Sequence, residues 1–297
     1  MTSFWKSLAF LTLTLVMAIG CDRPPKQFDL DQKNLIPGSQ YWYRIVHTDS
    51  VLNLEERVER KRSERSVRFT VLDTSDQLHI EWWEQHWFPD AKDPISRSVH
   101  GEWVSMYRIE YKLNAYGEVV EVSNYPEVRS QIDPLLDQYI AHFDSTTGFD
   151  ISPYVGGFRD SSWVMNSLLS DAMILHRLHG ITLTEGDTLH LFSYQEHSEE
   201  IILPFDLMLK SDPICAENNI SVLGWTPTGT IDIDGFIEEK IPKWPGIDTL
   251  QIGSATGQER MIVCFDTSIS LPSYIEMKRS MVLNGDSLVQ TRHIYLE

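Results

Sequence analysis

The sequence predicts a mainly β protein of the α+β class, with a large curved antiparallel sheet or partial barrel and a central pair of helices. Short runs of alternating apolar residues recur at near-regular spacing, which is the pattern of half-buried strands. Two amphipathic helical patterns interrupt them at about residues 130–180. Because the strand patterns on both sides of the helices look alike, we predict one β-rich domain over residues 39–297.

The composition is that of a globular protein with an acidic surface. Of the 297 residues, 42% are hydrophobic and 23% are charged. Lys and Arg together number 25 and Asp and Glu 43, which gives a formal net charge of −18 at pH 7. A surface this acidic repels phosphate backbones, so we predict no nucleic-acid partner.

Residues 1–20 have the pattern of an export signal. Lys6 supplies a positive charge, residues 8–19 form an apolar run that is too short to span a membrane, and polar residues follow. The residues Ala18-Ile19-Gly20-Cys21 resemble the lipobox of bacterial lipoproteins. The resemblance implies that Cys21 is acylated, becomes the first mature residue and holds the protein on a membrane.

That resemblance places the chain in the bacterial cell envelope, with the domain in the periplasm or at the cell surface. It leaves open whether the anchoring membrane is the inner or the outer one. Residues 21–38 contain three prolines and charges of both signs, so we predict a lipid-anchored tether there. The order of the later elements is similar to that of secreted β-rich lipoproteins of uncharacterised function, a likeness that implies no activity.

Five strand patterns precede the helices. The charged residues 55–65, which lie between the first two patterns, indicate a solvated strand or a short helix. A turn at Asn114-Ala115-Tyr116-Gly117 joins the fourth and fifth of these strands as a hairpin. The predicted strands cover residues 41–46, 65–72, 78–88, 103–111 and 118–122.

The first helix is predicted to begin at Asp133-Pro134, because an N-cap followed by proline is a typical helix start. The second is predicted from Ser161 or Ser162 to His179, and Gly180 ends it. Apolar residues form one face of each helix: Leu135, Leu136, Tyr139, Ile140 and Phe143 in the first, and Leu168, Leu169, Ala172, Leu175 and Leu178 in the second.

The remaining strands are predicted at residues 188–194, 201–209, 229–237 and 259–265. A final hairpin of residues 274–283 and 287–296 is predicted around Asn284-Gly285, since Asn-Gly favours the tight turn of a β-hairpin.

The two cysteines other than Cys21 form an even count in an oxidising compartment. Cys215 and Cys264 are therefore either joined in a disulfide or present as two independent buried thiols. Neither has a neighbouring His or Cys at the spacing of a metal site.

The search for catalytic motifs gives negative results. Gly253-Ser254-Ala255-Thr256-Gly257 has its serine in the wrong place for a nucleophile elbow, and no phosphate loop or dinucleotide fingerprint is present. His176 and His179 share one side of the second helix, but no third ligand lies beside them. We therefore predict no catalytic residues, no metal and no cofactor.

The tryptophans are the least ordinary feature of the sequence. Adjacent Trp82 and Trp83 point to opposite faces of a strand, so one of them can lie outside the core. Packing of both faces explains this pattern, and so does an aromatic groove lined by Trp82, Trp83, Trp87 and Trp103.

Three functions are consistent with these observations. The first is a lipid-anchored envelope protein without catalytic activity, which binds an envelope protein or serves as a scaffold. The second is a periplasmic carrier of an apolar ligand or lipid. The third, which has the least support, is a metal-assisted hydrolase at His176 and His179.

Overall fold

A 12-stranded antiparallel sheet dominates the computed structural model of the chain. The structure describes residues 25–32, 34–52, 58–87, 108–147, 152, 159–191, 205–210, 212–216, 219–226, 229–230, 256–283 and 286–297. The predicted large sheet with helices is confirmed, and the sheet is open rather than closed into a barrel.

The strands are long at the centre of the sheet and short at its margins. Their bounds are β1 Gln27–Asp29, β2 Gln40–Leu52, β3 Val58–Asp73, β4 Leu78–Trp87, β5 Arg108–Leu113, β6 Val119–Val122, β7 Thr182–Thr184, β8 Thr188–Leu191, β9 Phe205–Leu209, β10 Ile220–Trp225, β11 Gly229–Thr230, β12 Thr256–Asp266, β13 Leu271–Leu283 and β14 Asp286–Leu296. Within the large sheet the strands pair in the order β6-β5-β4-β3-β2-β14-β13-β12-β10-β9-β8, and β11 pairs with β12 beside this path.

Both predicted hairpins are present, since β5 pairs with β6 and β13 with β14. The charged stretch 55–65 belongs to β3 from Val58 onward. Strands β1 and β7 were not predicted, because three residues are too few to show an alternation, and β10 was not predicted either.

The first helix, α1, spans Tyr125–Thr147. The predicted start at Asp133-Pro134 is wrong, because the buried face extends upstream through Val128 and Ile132, each 1% exposed. Pro126 lies in the first turn, where a backbone N–H has no helical partner. Pro134 therefore lies inside the helix instead of opening it.

The second helical segment starts at Ser161, as predicted, with the Asp160 carboxylate accepting a hydrogen bond from the Ser162 N–H at 3.0 Å. It is not one continuous α-helix. A turn at Ser161–Trp163 leads into a π-helix at Val164–Leu168 and then into α2, Ser170–His176. The Leu169 N–H donates to the Val164 carbonyl, five residues back, which is the hydrogen bond of a π-helix.

Gly180 ends the turn after α2 with φ +72°. The inward positions of this segment are as predicted. Leu169, Ala172, Leu175 and Leu178 are buried, and Leu168 is partly buried against the core.

The segment predicted as a tether over residues 21–38 is part of the folded body from Gln27 onward. Strand β1 pairs with β7 in a separate two-stranded sheet. Leu30 and Leu35 are 0% and 3% exposed, and Gln32 is 1% exposed. Proline and charge gave this stretch the composition of a linker, but Leu30 and Leu35 belong to the hydrophobic core, and Gln32 binds His176 of the helical segment.

The two faces of the sheet carry different side chains in the part of the chain that the structure describes. The inner face carries the alternate residues that pack under the helices, such as Tyr43, Val67, Phe69 and Trp82. The outer face carries the intervening residues, including Arg44, whose side chain is 45% exposed. Among the described residues, no helix is both long and apolar enough to cross a bilayer.

Candidate functional site

Buried polar residues lie where α2 meets the inner face of the sheet. His176, at the end of α2, is fully buried and has a polar partner at each ring nitrogen. Its Nε2 lies 2.7 Å from the Tyr111 hydroxyl on β5, and its Nδ1 lies 2.6 Å from Oε1 of Gln32. The ring also packs against Phe69, with the ring centres 5.6 Å apart.

These contacts assign the protons of His176. The amide oxygen of Gln32 can only accept, so His176 Nδ1 carries the hydrogen and Nε2 accepts from Tyr111. The amide nitrogen of Gln32 donates to the Leu175 carbonyl at 3.4 Å, which agrees with this orientation. Burial lowers the pKa of His176 to about 3, with a smaller contribution in the same direction from the nearby His179, so the imidazole is neutral.

A second buried cluster surrounds Asp171 on α2, which has no exposed surface. Its carboxylate is paired with Arg65 of β3 and lies 3.2 Å from Nη1 of Arg292 on β14. His47 Nε2 on β2 donates to the same carboxylate at 3.2 Å. Three strands of the sheet thus bind one side chain of α2.

Burial within this cluster keeps His47 neutral. Burial lowers its pKa to about 3, and the positive charges of Arg65 and Arg292 act in the same direction. Arg65 also pairs with Glu84 of β4 at 3.2 Å, and the indole N–H of Trp82 donates to Glu84 at 3.4 Å.

A third cluster joins the turn after α2 to β12. Glu259, 6% exposed, accepts from Arg177 at 2.6 Å and from Arg279 at 2.8 Å. Burial alone would raise the pKa of Glu259, but the two arginines hold it below its usual value. A small cleft lined by Met277, Arg279, Gln290 and Arg292 lies between this cluster and that of Asp171.

The outer face carries aromatic rings held by arginines. The Trp83 ring on β4 lies between Arg68 and Arg108, whose guanidinium carbons are 4.4 Å and 4.7 Å from the ring centre. Glu81 accepts from Arg68 at 2.8 Å and lies 3.9 Å from Arg108. The ring is thus held in one orientation by charged groups that themselves reach solvent.

A second aromatic group lies on β13 and β14 of the same face. Tyr274 and Tyr295 have ring centres 5.2 Å apart, and the His293 ring stacks on both. The Arg44 guanidinium lies 5.6 Å from the centre of the Tyr295 ring. The Tyr274 hydroxyl lies 3.0 Å from His293 Nδ1, so this group is also fixed by hydrogen bonding.

The structure separates the tryptophans of the predicted groove. Trp82 is 1% exposed on the inner face, whereas Trp83 is half-buried on the outer face, so these two do not line one groove. Trp103, the side chain of Trp87 and the predicted lipidation residue Cys21 lie outside the described residues.

Cys215 and Cys264 are joined by a disulfide, with Cα atoms 5.3 Å apart. His176 and His179 are held in hydrogen bonds by the N-terminal segment, since the Gln32 N–H donates to His179 Nδ1 at 3.0 Å. Within the part of the chain that the structure describes, no group of three or more His, Cys, Asp or Glu residues is placed to hold a metal.

Sequence reasoning missed the Asp171 and Glu259 clusters. One signal for the first was present, because Asp171 lies within the apolar stripe of its helix, beside Ala172 and one turn from Leu168 and Leu175. A carboxylate in an apolar stripe indicates a buried ion pair. Its partners were not predictable, since Arg65 and Arg292 are more than a hundred residues away in the sequence.

Comparisons with known proteins assign the chain to no family. No protein-family model matches the chain, and no curated protein matches it. A solved structure of lipovitellin, described by its lipid–protein interactions, is similar over 89% of this chain and 25% of that chain, with 10% identity and a TM-score of 0.46. The chain thus spans about a quarter of that protein's length, and a likeness at this TM-score carries no argument about function.

Proposed function

We propose that this chain is a lipid-anchored cell-envelope protein without catalytic activity, which binds a protein partner on the outer face of its sheet. The observation that carries the proposal is the arginine-held aromatic surface of that face. We call it the outer aromatic surface and define it by Arg44, Trp83, Tyr274, His293 and Tyr295, with Arg68 and Arg108 beside Trp83.

The residue types of this surface favour protein binding. Trp, Tyr and Arg are enriched at the centres of protein interfaces, where a few such residues contribute most of the binding energy. The rings are already fixed by stacking and ion pairs, so little order has to be gained on binding. Tyr295 is 36% exposed, and the side chain of Arg108 is 57% exposed, so a partner can reach both.

The buried polar residues favour a structural role for the inner face. His176, Asp171 and Glu259 are the residue types that could perform acid–base chemistry, yet each is held between partners that fix its charge. His176 is neutral, and both of its nitrogens are engaged. These groups hold the helices on the sheet. A fixed arrangement of helices and sheet is consistent with a protein that binds its partner without a change of shape.

The anchor is proposed from the lipobox residues that end in Cys21. The mass of the mature protein, exported in a bacterium, tests it. We expect cleavage before Cys21 and a mass increase that corresponds to acyl chains, and both should be absent in Cys21→Ser. An unmodified Cys21 in a correctly exported protein would overturn the anchor.

Site-specific photo-cross-linking in the cell tests the partner. A photoreactive residue replaces exposed Lys278, which neighbours the outer aromatic surface on β13, or, as control, exposed Gln138 on α1. We expect one protein adduct from position 278 that is absent from position 138 and is lost when Arg44→Ala and Tyr295→Ala are added. Adducts that persist in this double variant would overturn the proposal.

The carrier hypothesis gives a different result in a second measurement. Comparison of native and denatured masses of residues 22–297 reports any bound molecule. We expect no passenger. A retained mass of lipid size would replace the partner-binding proposal with that of a carrier.

A further inference from the structure

Several exposed large apolar side chains lie at one end of the sheet. This is the end at which β2, β4 and β6 begin and at which β3, β5 and β14 finish, and we call it the N-terminal end of the sheet. The loops at the opposite end of the sheet lie outside the described residues. Six exposed large hydrophobic residues lie at or next to the N-terminal end: Ile36, Leu72, Tyr116, Val120, Ile214 and Tyr295.

Two of these residues have the largest exposed fractions. Ile36 is 68% exposed in the loop before β2, and Tyr116 is 76% exposed at the tip of the β5–β6 turn. That turn packs tightly on the body, since a Cβ on Gly117 would lie 2.3 Å from the His176 carbonyl oxygen. The tip that carries Tyr116 is therefore held in place.

The chain enters the folded body at the same end. The Lys26 carbonyl accepts from the Glu185 N–H at 2.8 Å, and Glu185 lies in the turn just before β8 begins. Five residues, 22–26, separate Cys21 from the start of β1. Six Cα steps of extended chain span at most about 20 Å, so Cys21 cannot lie far from this end.

We propose that the N-terminal end of the sheet faces the bilayer, with Ile36 and Tyr116 in contact with the membrane interface. This inference rests on the proposed acylation of Cys21. A short connection holds the body close to the membrane, and apolar and aromatic tips select which part of the body touches it. The strands then run away from the membrane, so a partner reaches the outer aromatic surface from the side, with Tyr295 at the edge nearest the bilayer.

Electrostatics defines which lipid suits this contact. Asp73, Asp76, Glu118 and Asp187 are exposed at this end, against Lys26 and Lys210. Anionic headgroups therefore repel the end, and attraction comes from the anchor and the apolar side chains. The surface fits a zwitterionic bilayer better than an anionic one.

Lipid cross-linking tests the orientation. The full mature chain carries a photoreactive residue at Tyr116 or, as a matched control, at Arg62, whose side chain is 62% exposed on β3 and lies eleven residues from the end of that strand. The protein is reconstituted in phosphatidylcholine vesicles, and lipid adducts are counted by mass. We expect at least a five-fold higher yield at position 116, and a lower yield there when phosphatidylglycerol is added.

Equal yields at positions 116 and 62 would overturn the orientation. Ile36→Ser should lower the yield at position 116, and an unchanged yield would overturn the contact through Ile36. A parallel sample, with Cys21 coupled to a maleimide lipid, tests the orientation even if the cell does not acylate Cys21. Failure of the anchor and failure of the orientation are thereby distinguished.

Discussion

Asp171 shows how one residue holds two parts of the fold together. It lies on a helix, and its partners Arg65, Arg292 and His47 lie on three strands. Asp171→Asn keeps the shape but removes the buried carboxylate charge that Arg65 and Arg292 share. We expect a loss of unfolding free energy of about 3–5 kcal/mol, the usual cost of breaking a buried pair, measured by urea denaturation.

The control for Asp171 is an exposed pair on the same sheet. Glu121 accepts from Lys112 at 2.9 Å, and its side chain is 51% exposed. Glu121→Gln should cost less than about 1 kcal/mol, because solvent screens such pairs. Similar losses for the two variants would mean that the Asp171 cluster does not hold the helix.

His176 gives the stability of the protein a pH dependence of known sign. Its pKa is about 3 in the folded protein, against the ordinary value of 6.5 for a solvated histidine, so between these values the unfolded chain binds a proton that the folded chain does not. Stability therefore falls as the pH is lowered from 6.5 towards 3, by up to about 1.4 kcal/mol per pH unit for this residue.

Urea midpoints at pH 6.5 and pH 5 measure this slope before most carboxylates titrate. His47, whose pKa is also about 3, contributes with the same sign. His176→Gln keeps a hydrogen-bonding side chain that does not titrate. It should remove the contribution of His176 to the pH dependence of stability and leave the contribution of His47. An unchanged slope in His176→Gln would show that folding does not lower the pKa of His176.

At the scale of elements, the β5–β6 turn and the turn after α2 are packed backbone against backbone. Gly180 has φ +72°, and a Cβ there would lie 2.2 Å from the Ala115 carbonyl oxygen. Gly186 has φ +89° with nothing within 4 Å. Gly186→Ala should cost only the backbone strain of about 1–2 kcal/mol.

Gly180→Ala should cost clearly more than Gly186→Ala, because it adds the collision with Ala115 to the same backbone strain. Thermal or urea denaturation of the two variants compares these costs directly. Equal losses would show that the hairpin moves away from the helical segment without a penalty, and hence that it is not rigidly packed.

The elements also show what the sequence could and could not predict. Long alternating strands and both hairpins were predictable, since their signals are local. The start of α1 was not, because Asp133-Pro134 has the local chemistry of a helix start, and only the burial of Val128 and Ile132 extends the helix past it. The same holds for Leu30 and Leu35, which lie buried in a stretch with the composition of a linker.

At the scale of the whole molecule, the predicted fold class followed from local patterns, but the clusters depend on long-range contacts. Gln32 reaches His176 over 144 residues, and His47 reaches Asp171 over 124. No spacing rule connects such residues. The tryptophans also show that local sequence does not predict long-range contacts. Trp82 and Trp83 are neighbours in the sequence, but Trp82 lies in the core and Trp83 lies on the outer face.

The disulfide is the one covalent long-range contact in the described residues, and it should contribute strongly to the stability of the whole chain. Cys215 and Cys264 are 49 residues apart, and the loop between them includes β10 and β11. Closing a loop of this length restricts the unfolded chain by about 4 kcal/mol when only chain entropy is counted. Cys264 is 1% exposed, so the bond also lies within the packed body.

We expect Cys215→Ser to lower the unfolding free energy by about 3–4 kcal/mol, with Cys21→Ser, which breaks no bond, as the matched control. Addition of a reductant should lower the urea midpoint of the Cys21→Ser protein and leave that of Cys215→Ser unchanged. If the reductant affects both proteins equally, the stabilisation does not come from this bond. If it affects neither, the two cysteines are not joined in the protein as the cell makes it, and the buried Cys264 is held by packing alone.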